Sequence, residues 1–267
     1  MTTFKELMDL QGRQALITGA TGGLGRVIAD TFAELGADLV LVDMPDSDLQ
    51  SLGEALCERW SVKVQLFHCD LEQLNHRTEL IEKVKESCKG LNILVNNAAF
   101  VGTSILRGWA VSFGEQSIET WRRAMEVNLT AVFHLCQGLT PMLKEAKGAS
   151  IINIASIYGL YGPDWSLYDD TGMSNPAAYG ASKGGLIQLS RWLATTIAPD
   201  VRVNSISPGG VFGNQPEKFV QRYEAKTPLG RMATYDDFRG VVAYLASDLS
   251  KYVTGQNLIV DGGWGIW

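Results

Sequence analysis

Leu16–Phe32 reads LITGATGGLGRVIADTF. A short apolar run opens into a glycine-rich turn, and an amphipathic pattern follows. Gly19, Gly22, Gly23 and Gly25, with Leu24 among them, allow a tight turn and close approach of another backbone. A helix starting there directs its free N–H groups toward whatever sits in the turn, and a pyrophosphate suits them. A glycine trio alone is also an ordinary tight turn. Its place as first strand, first turn and first long helix makes it the opening of a dinucleotide-binding unit. The glycines fit both TGxxxGxG and GxxGxxG, so the turn does not choose a subclass.

Outward from this stretch, apolar runs alternate with helical patterns. Strands are expected at QALITG (from Gln14), DLVLVD (Asp38), KVQLFHCD (Lys63), LNILVNN (Leu91), ASIINIAS (Ala149), VRVNSIS (Val201) and NLIVDGG (Asn257). Several lack polar alternation, as strands covered on both faces do. Amphipathic stretches such as Leu24–Leu35 and Leu74–Cys88 lie between them. The expected fold is α/β: a doubly wound parallel sheet of Rossmann type, helices on both faces, one domain over residues 1–267. Three segments break the alternation, at about 100–116, 157–175 and 209–230. Each leaves the carboxyl end of an expected strand, the edge where open α/β sheets bind ligands. Asp43 ends the second strand. A carboxylate there accepts hydrogen bonds from the ribose hydroxyls of NAD and repels the 2′-phosphate of NADP. Ala20, Thr21, Gly22, Met44 and Pro45 offer no positive charge, so NAD is expected over NADP.

The 267 residues, 46% hydrophobic and 19% charged, suit a globular domain with a sizeable core. A net charge of −6 argues against a nucleic-acid partner. No apolar run reaches transmembrane length and the first residues carry no signal-peptide core, so no membrane partner is expected. Cys57, Cys69, Cys88 and Cys136 are scattered without a CxxC pair, which fits reduced thiols in the cytoplasm. His68, His76 and His134 lack metal-ligand spacing, and no metal is expected.

SNPAAYGASKGG, Ser174–Gly185, puts Tyr179 four residues before Lys183 among small residues. On a helix the two share a face. An ammonium beside a phenol favours the phenolate, so the Tyr179 pKa is expected to fall, making it a proton donor and acceptor near neutral pH.

Eight motifs then follow in order: TGATGGLG at Thr18, CDL at Cys69, NNAA at Asn96, Asn128 in MEVNLTAVF, NIASIYG with Ser156, YGASK at Tyr179, NSISPGG at Asn204 and VDGGW at Val260. From Gly12 to the end the chain resembles the short-chain dehydrogenase/reductase family, in its ordinary short subclass. The resemblance implies that Tyr179 is the general acid/base and that Lys183 lowers its pKa and hydrogen-bonds the nicotinamide ribose. Ser156 would donate to the reacting oxygen, and Asn128 would hold a water linking Lys183 to solvent. Asp70 and Leu71 would sit by the adenine, Asn97 and Ala98 would line the adenosine side, and Pro208, Gly209 and Val211 the nicotinamide.

Some positions depart from the pattern. Ser156 and Tyr179 are 23 positions apart, a longer gap than the family's usual one. The extra segment carries Tyr158, Tyr161, Trp165, Tyr168, Asp164, Asp169 and Asp170. Ala99 replaces a usual Gly, and Gly213 and Asn214 stand where a Thr commonly contacts the nicotinamide amide, with Asn214 a possible substitute. Aromatic faces stack on sugar rings and carboxylates accept from hydroxyls. Tyr158, Trp165, Tyr168, Arg107, Trp109 and Asn214 are therefore the candidate substrate residues, although the aromatics equally suit loop packing or a subunit interface. The insertion and SPGGVFGNQPEKFVQRYEAKTPLGRMAT are similar to members linked to bacterial surface-sugar and flagellin-glycan biosynthesis. The apolar tail VDGGWGIW suits a homo-oligomer, and family tails of this kind favour a tetramer.

The expected activity is interconversion of a secondary alcohol and a ketone on a sugar, sugar phosphate or nucleotide sugar. The alternatives are the same chemistry on an apolar, steroid or acyl ketone, and a non-catalytic dinucleotide sensor or scaffold.

Overall fold

The computed structural model describes residues 1–101 and 106–267. The strands are β1 (Gln14–Thr18), β2 (Asp38–Asp43), β3 (Val64–His68), β4 (Ile93–Asn96), β5 (Ala149–Ile154), β6 (Val201–Pro208) and β7 (Asn257–Val260). They form one sheet in the order β3-β2-β1-β4-β5-β6-β7, every pair parallel. The helices are α1 (Phe4–Met8), α2 (Gly23–Glu34), α3 (Leu49–Trp60), α4 (Leu74–Ser87), α5 (Ile118–Met125), α6 (Ala131–Glu145), α7 (Ala177–Thr196), α8 (Glu217–Lys226) and α9 (Arg239–Ala246).

The apolar runs are strands because both faces of the sheet are covered. Along β1, Leu16 joins a core with residues of α4, α6 and α7, while Ala15 and Ile17 join the opposite core with α2, α3 and α9. Side chains alternate between faces along a strand, so a sheet packed on both sides needs apolar residues at every position. Each fully buried Leu or Ile contributes about 1.5–3 kcal/mol.

Strand order reverses between β1 and β4, and a crevice opens at their carboxyl ends. Asn97, just past β4, spans it: its Nδ2 donates to the carbonyls of Thr18 and Gly19, both at 2.9 Å. Thr18 Oγ1 accepts from the N–H groups of Asn97 and Ala98, both at 3.1 Å. A buried polar ladder joins α7 to the sheet: Asn96 Nδ2 donates to Asn153 Oδ1, and Asn153 Nδ2 to Ser190 Oγ, each at 2.8 Å.

Two expectations about connections change. The segment 209–230 is not a plain loop, because it contains α8, anchored by the buried Phe219 and Tyr223 one turn apart. The tail is only half exposed. Trp264 is buried and stacks on Tyr223 at 5.8 Å, whereas Ile266 and Trp267 lie in solvent. Residues 102–105 of the expected loop at 100–116 lie outside the described residues. No helix among the described residues is long and apolar enough to cross a membrane.

Candidate active site

The glycine turn is built for close approach. Gly19 has φ +63°, and a Cβ there would lie 2.8 Å from the Cα of Ala98. A Cβ on Gly25 would lie 2.0 Å from the Gly19 carbonyl. Helix α2 is preceded by Gly22 at its N-cap, with no side-chain cap, so its first N–H groups are open to a ligand. Beside this turn lies a cavity of about 510 Å³. Gly19, Gly22, Gly23, Leu24, Gly25, Asp43, Asp70, Leu71, Asn97 and Ala98 all line it, so these ten expected cofactor residues come together.

Local bonds fix the acids. Asp43 Oδ2 accepts from the N–H and the hydroxyl of Thr21, both at 2.7 Å, and its Oδ1 accepts from the N–H of Met44 at 2.8 Å. Asp70 accepts from the N–H of Glu72 at 2.9 Å, and the buried Arg77 donates to the Leu71 carbonyl. Further residues line the cavity, and two of them bear on its shape. Thr21 orients Asp43, and Tyr235 lies over Gly23, where a Cβ would meet its ring at 2.1 Å. Nothing in the glycine pattern points to a tyrosine more than two hundred positions away.

Val101 lines this cavity and a second one of about 250 Å³. Ser156, just past β5, and Tyr179, on the first turn of α7, both line the second cavity. The glycines let these elements approach, since a Cβ on Gly159 would lie 2.7 Å from the backbone of Lys183. Lys183 is buried, with Nζ 2.7 Å from the Ile154 carbonyl to which it donates and 5.8 Å from the centre of the Tyr179 ring.

The expected fall of the Tyr179 pKa is not what this geometry gives. Burial raises it, hydrogen bonding with Ser156 opposes the rise, and nearby Tyr168 adds to it. Burial also lowers Lys183 to about 8. Desolvation outweighs the attraction expected from the i, i+4 spacing.

Asn128 sits in a π-turn, Glu126–Thr130, that breaks the helix between α5 and α6. Its side chain bonds within the protein. Oδ1 accepts from the N–H of Phe100 at 2.6 Å, and Nδ2 donates to the Phe100 carbonyl at 3.2 Å and to Ser182 Oγ at 3.0 Å. Ser182 in turn donates to the Tyr179 carbonyl at 2.9 Å, so Asn128 anchors the turn that carries Tyr179.

The remaining candidates divide. Pro208 and Val211 line neither cavity, and Val211 forms a parallel bridge to Ala233; Gly209 lines the second cavity. Gly210, missed in the sequence, also lines it and donates from its N–H to Tyr223 Oη at 2.6 Å. Tyr158, Tyr168 and Trp109 line the cavity, and Trp109 donates to the Val101 carbonyl at 2.6 Å. Trp165 faces a neighbouring compartment. Arg107 and Asn214 are exposed and line neither. Gln215 takes the position expected of Asn214 on the cavity wall, held by the Gly213 N–H at 2.7 Å and the Val211 carbonyl at 2.8 Å. The acids of the insertion do not face the cavity either. Asp164 pairs with Lys226 and accepts from the N–H of Ser166, while Asp169 and Asp170 are exposed.

A family model described as enoyl-(acyl carrier protein) reductase matches residues 19–265. A 3-oxoacyl-[acyl-carrier-protein] reductase of Thermotoga maritima is 32% identical over 261 residues, covering 96% of this chain and 99% of its own length. A short-chain dehydrogenase of Leptospira borgpetersenii with bound NAD+ superposes with a TM-score of 0.83 at 32% identity, over 99% of this chain and 96% of its own. A gluconate 5-dehydrogenase of Burkholderia cenocepacia in complex with NADP and tartrate gives a TM-score of 0.87 at 25% identity, over 99% and 100%. With a turn that only glycines fit, a parallel sheet reversing beside it, and Ser156, Tyr179 and Lys183 gathered at the reversal, this chain belongs to the short-chain dehydrogenase/reductase family of oxidoreductases.

Proposed function

We propose that the protein is an NAD-dependent oxidoreductase that interconverts a secondary alcohol and a ketone, with residues 1–267 acting as one catalytic domain. One observation carries the reading. Ser156 and Tyr179 line a cavity that shares Val101 with the glycine-turn cavity, and the buried Lys183 lies behind Tyr179.

The site fits a dinucleotide. The uncapped start of α2 and the cradle that a Cβ at Gly19 or Gly25 would fill suit a pyrophosphate. Asp43 would hold the adenosine ribose, Asp70, Leu71, Asn97 and Ala98 the rest of the adenosine, and Pro208, Gly209 and Val211 the nicotinamide. When bound, the cofactor supplies or accepts the hydride. Tyr179 Oη gives a proton to the substrate oxygen in reduction and takes it in oxidation. Ser156 Oγ donates to the same oxygen and stabilises the charge that develops there. Lys183 Nζ, 5.8 Å from the centre of the Tyr179 ring, would favour the phenolate when protonated. Asn128 positions Tyr179 through Ser182.

NAD is favoured over NADP because Thr21 holds the Asp43 carboxylate where a 2′-phosphate would come. Relatives with either cofactor exist, so Asp43 and its surroundings carry this choice alone. The substrate is a hydroxylated compound of the polyol or sugar class. The aromatic walls and the hydroxyls of Tyr158 and Tyr168 support that class. A sugar phosphate or nucleotide sugar fits less well, because no basic side chain among the described residues lines either cavity on the substrate side. A cytoplasmic homotetramer is consistent with four free cysteines and with exposed Trp121, Phe133, Trp192 and Trp267. Loss of alcohol-dependent NADH formation in Tyr179→Phe, with NADH binding kept, tests the reading; a variant that keeps most of its activity refutes it.

A further inference from the structure

We infer that the compartment beyond Tyr158 and Pro176 is a substrate subsite for an uncharged, largely apolar substituent. The inference rests on the oxidoreductase reading of the site. The cavity at Ser156 and Tyr179 holds about 250 Å³, less than the roughly 300–1,000 Å³ typical of small-molecule sites. A compartment of about 900 Å³ adjoins it and shares Tyr158, Met173, Asn175 and Pro176 as walls. A substrate that overfills the first cavity extends into it.

The shared wall is preformed. Tyr158 Oη and Tyr168 Oη are 2.6 Å apart, and Asn175 Nδ2 donates to Tyr168 Oη at 3.2 Å. Burial raises the Tyr158 pKa, so its hydroxyl stays neutral. This belt can exchange hydrogen bonds with a hydroxyl or carbonyl near the reacting carbon. Beyond it, Phe113 and Trp165 present largely exposed ring surface to the compartment. Trp165 is braced against Tyr168, with ring centres 5.8 Å apart.

No Asp, Glu, Lys, Arg or His lines either space among the described residues. Two cations near the compartment are held by other groups. Lys226 pairs with Asp164, and Arg222 donates to the carbonyls of Leu167 and Asp169. A phosphate or carboxylate entering here would lose water without gaining a counterion, which disfavours it. An apolar substituent gains from leaving water, and the rings offer it flat contact.

Binding to the NADH-loaded Tyr179→Phe enzyme, followed by calorimetry, reads this subsite without chemistry. The probes are butan-2-one, 4-phenylbutan-2-one and levulinate (4-oxopentanoate). The phenyl ketone should bind about ten-fold tighter than butan-2-one, and levulinate no tighter than butan-2-one. Adding Phe113→Ala and Trp165→Ala should shrink the phenyl advantage to about two-fold, with NADH affinity unchanged. Tighter binding of levulinate, no phenyl advantage, or an advantage that survives both truncations would overturn the inference. So would a change in oligomeric mass on truncation with the advantage intact, which would give the compartment to a second copy of the chain. Turnover by the wild-type enzyme is scored separately. A phenyl preference without turnover of any alcohol or ketone counts against the oxidoreductase reading and leaves the subsite standing.

Discussion

Replacing Lys183 by Met should abolish catalysis yet leave stability at neutral pH nearly unchanged. Burial takes Lys183 from 10.5 to about 8, which at about 1.4 kcal/mol per pH unit is a charge-burial cost of about 3 kcal/mol. Met removes that cost. It also removes the charge-assisted bond to the Ile154 carbonyl, with a loss of about 1.5–3 kcal/mol. The two nearly cancel, so at pH 7 the variant should lie within about 1.5 kcal/mol of the wild type. The pH dependence is the sharper signature. Between about 8 and 10.5 the folded state holds fewer protons than the unfolded one, so unfolding takes protons up and wild-type stability rises with pH. Below that window both states are protonated and the difference is flat. Urea unfolding of both proteins from pH 7 to about pH 10 should show the wild type gaining on the variant, by up to about 3 kcal/mol. A difference that stays constant across the window, or moves in the variant's favour, would refute the assignment of Lys183 as a buried, desolvated ammonium.

Three further outcomes are expected. Asp43→Ser should move the ratio of kcat/KM for NAD to that for NADP toward NADP by about ten-fold or more, through loss of one fixed negative charge; an unchanged ratio would remove Asp43 from cofactor selection. Gly25→Ala should lose NADH binding, measured by fluorescence titration, because its Cβ would lie 2.0 Å from the Gly19 carbonyl; wild-type affinity would contradict the tight turn. Light scattering should give a tetramer mass; a monomer would leave exposed Trp121, Phe133 and Trp192 without a role in assembly.

Much of the fold was legible because the sheet is covered twice. Runs such as Leu39–Val42 are buried at every position, which requires apolar residues throughout and prints a strand into the sequence. The glycine turn was legible because side chains at Gly19 and Gly25 would meet backbone. Helix α8 was not, since only Phe219 and Tyr223 are buried in it and its other positions read as a polar loop. The direction of the Tyr179 shift was misread for a related reason. Lys183 at i+4 is visible in sequence, but the burial that overrides it, and the further rise from nearby Tyr168, arise only when the chain folds. Asp164 reads as a free hydroxyl acceptor in sequence because its partners, Lys226 and the 3-10 turn at Trp165–Leu167, come near only in the fold. Asn214 and Gln215 differ by one position, and the bonds that Gln215 makes to Val211 and Gly213 decide which of them faces the cavity.

The most direct test of the central claim is NADH formation by wild type and Tyr179→Phe on a panel of neutral polyols and secondary alcohols, with NADH affinity measured in parallel. The account predicts turnover by the wild type, a loss of about a thousand-fold or more in the variant, and NADH affinity within about three-fold of wild type. A variant that keeps most of its turnover would contradict the role of Tyr179 as the proton carrier.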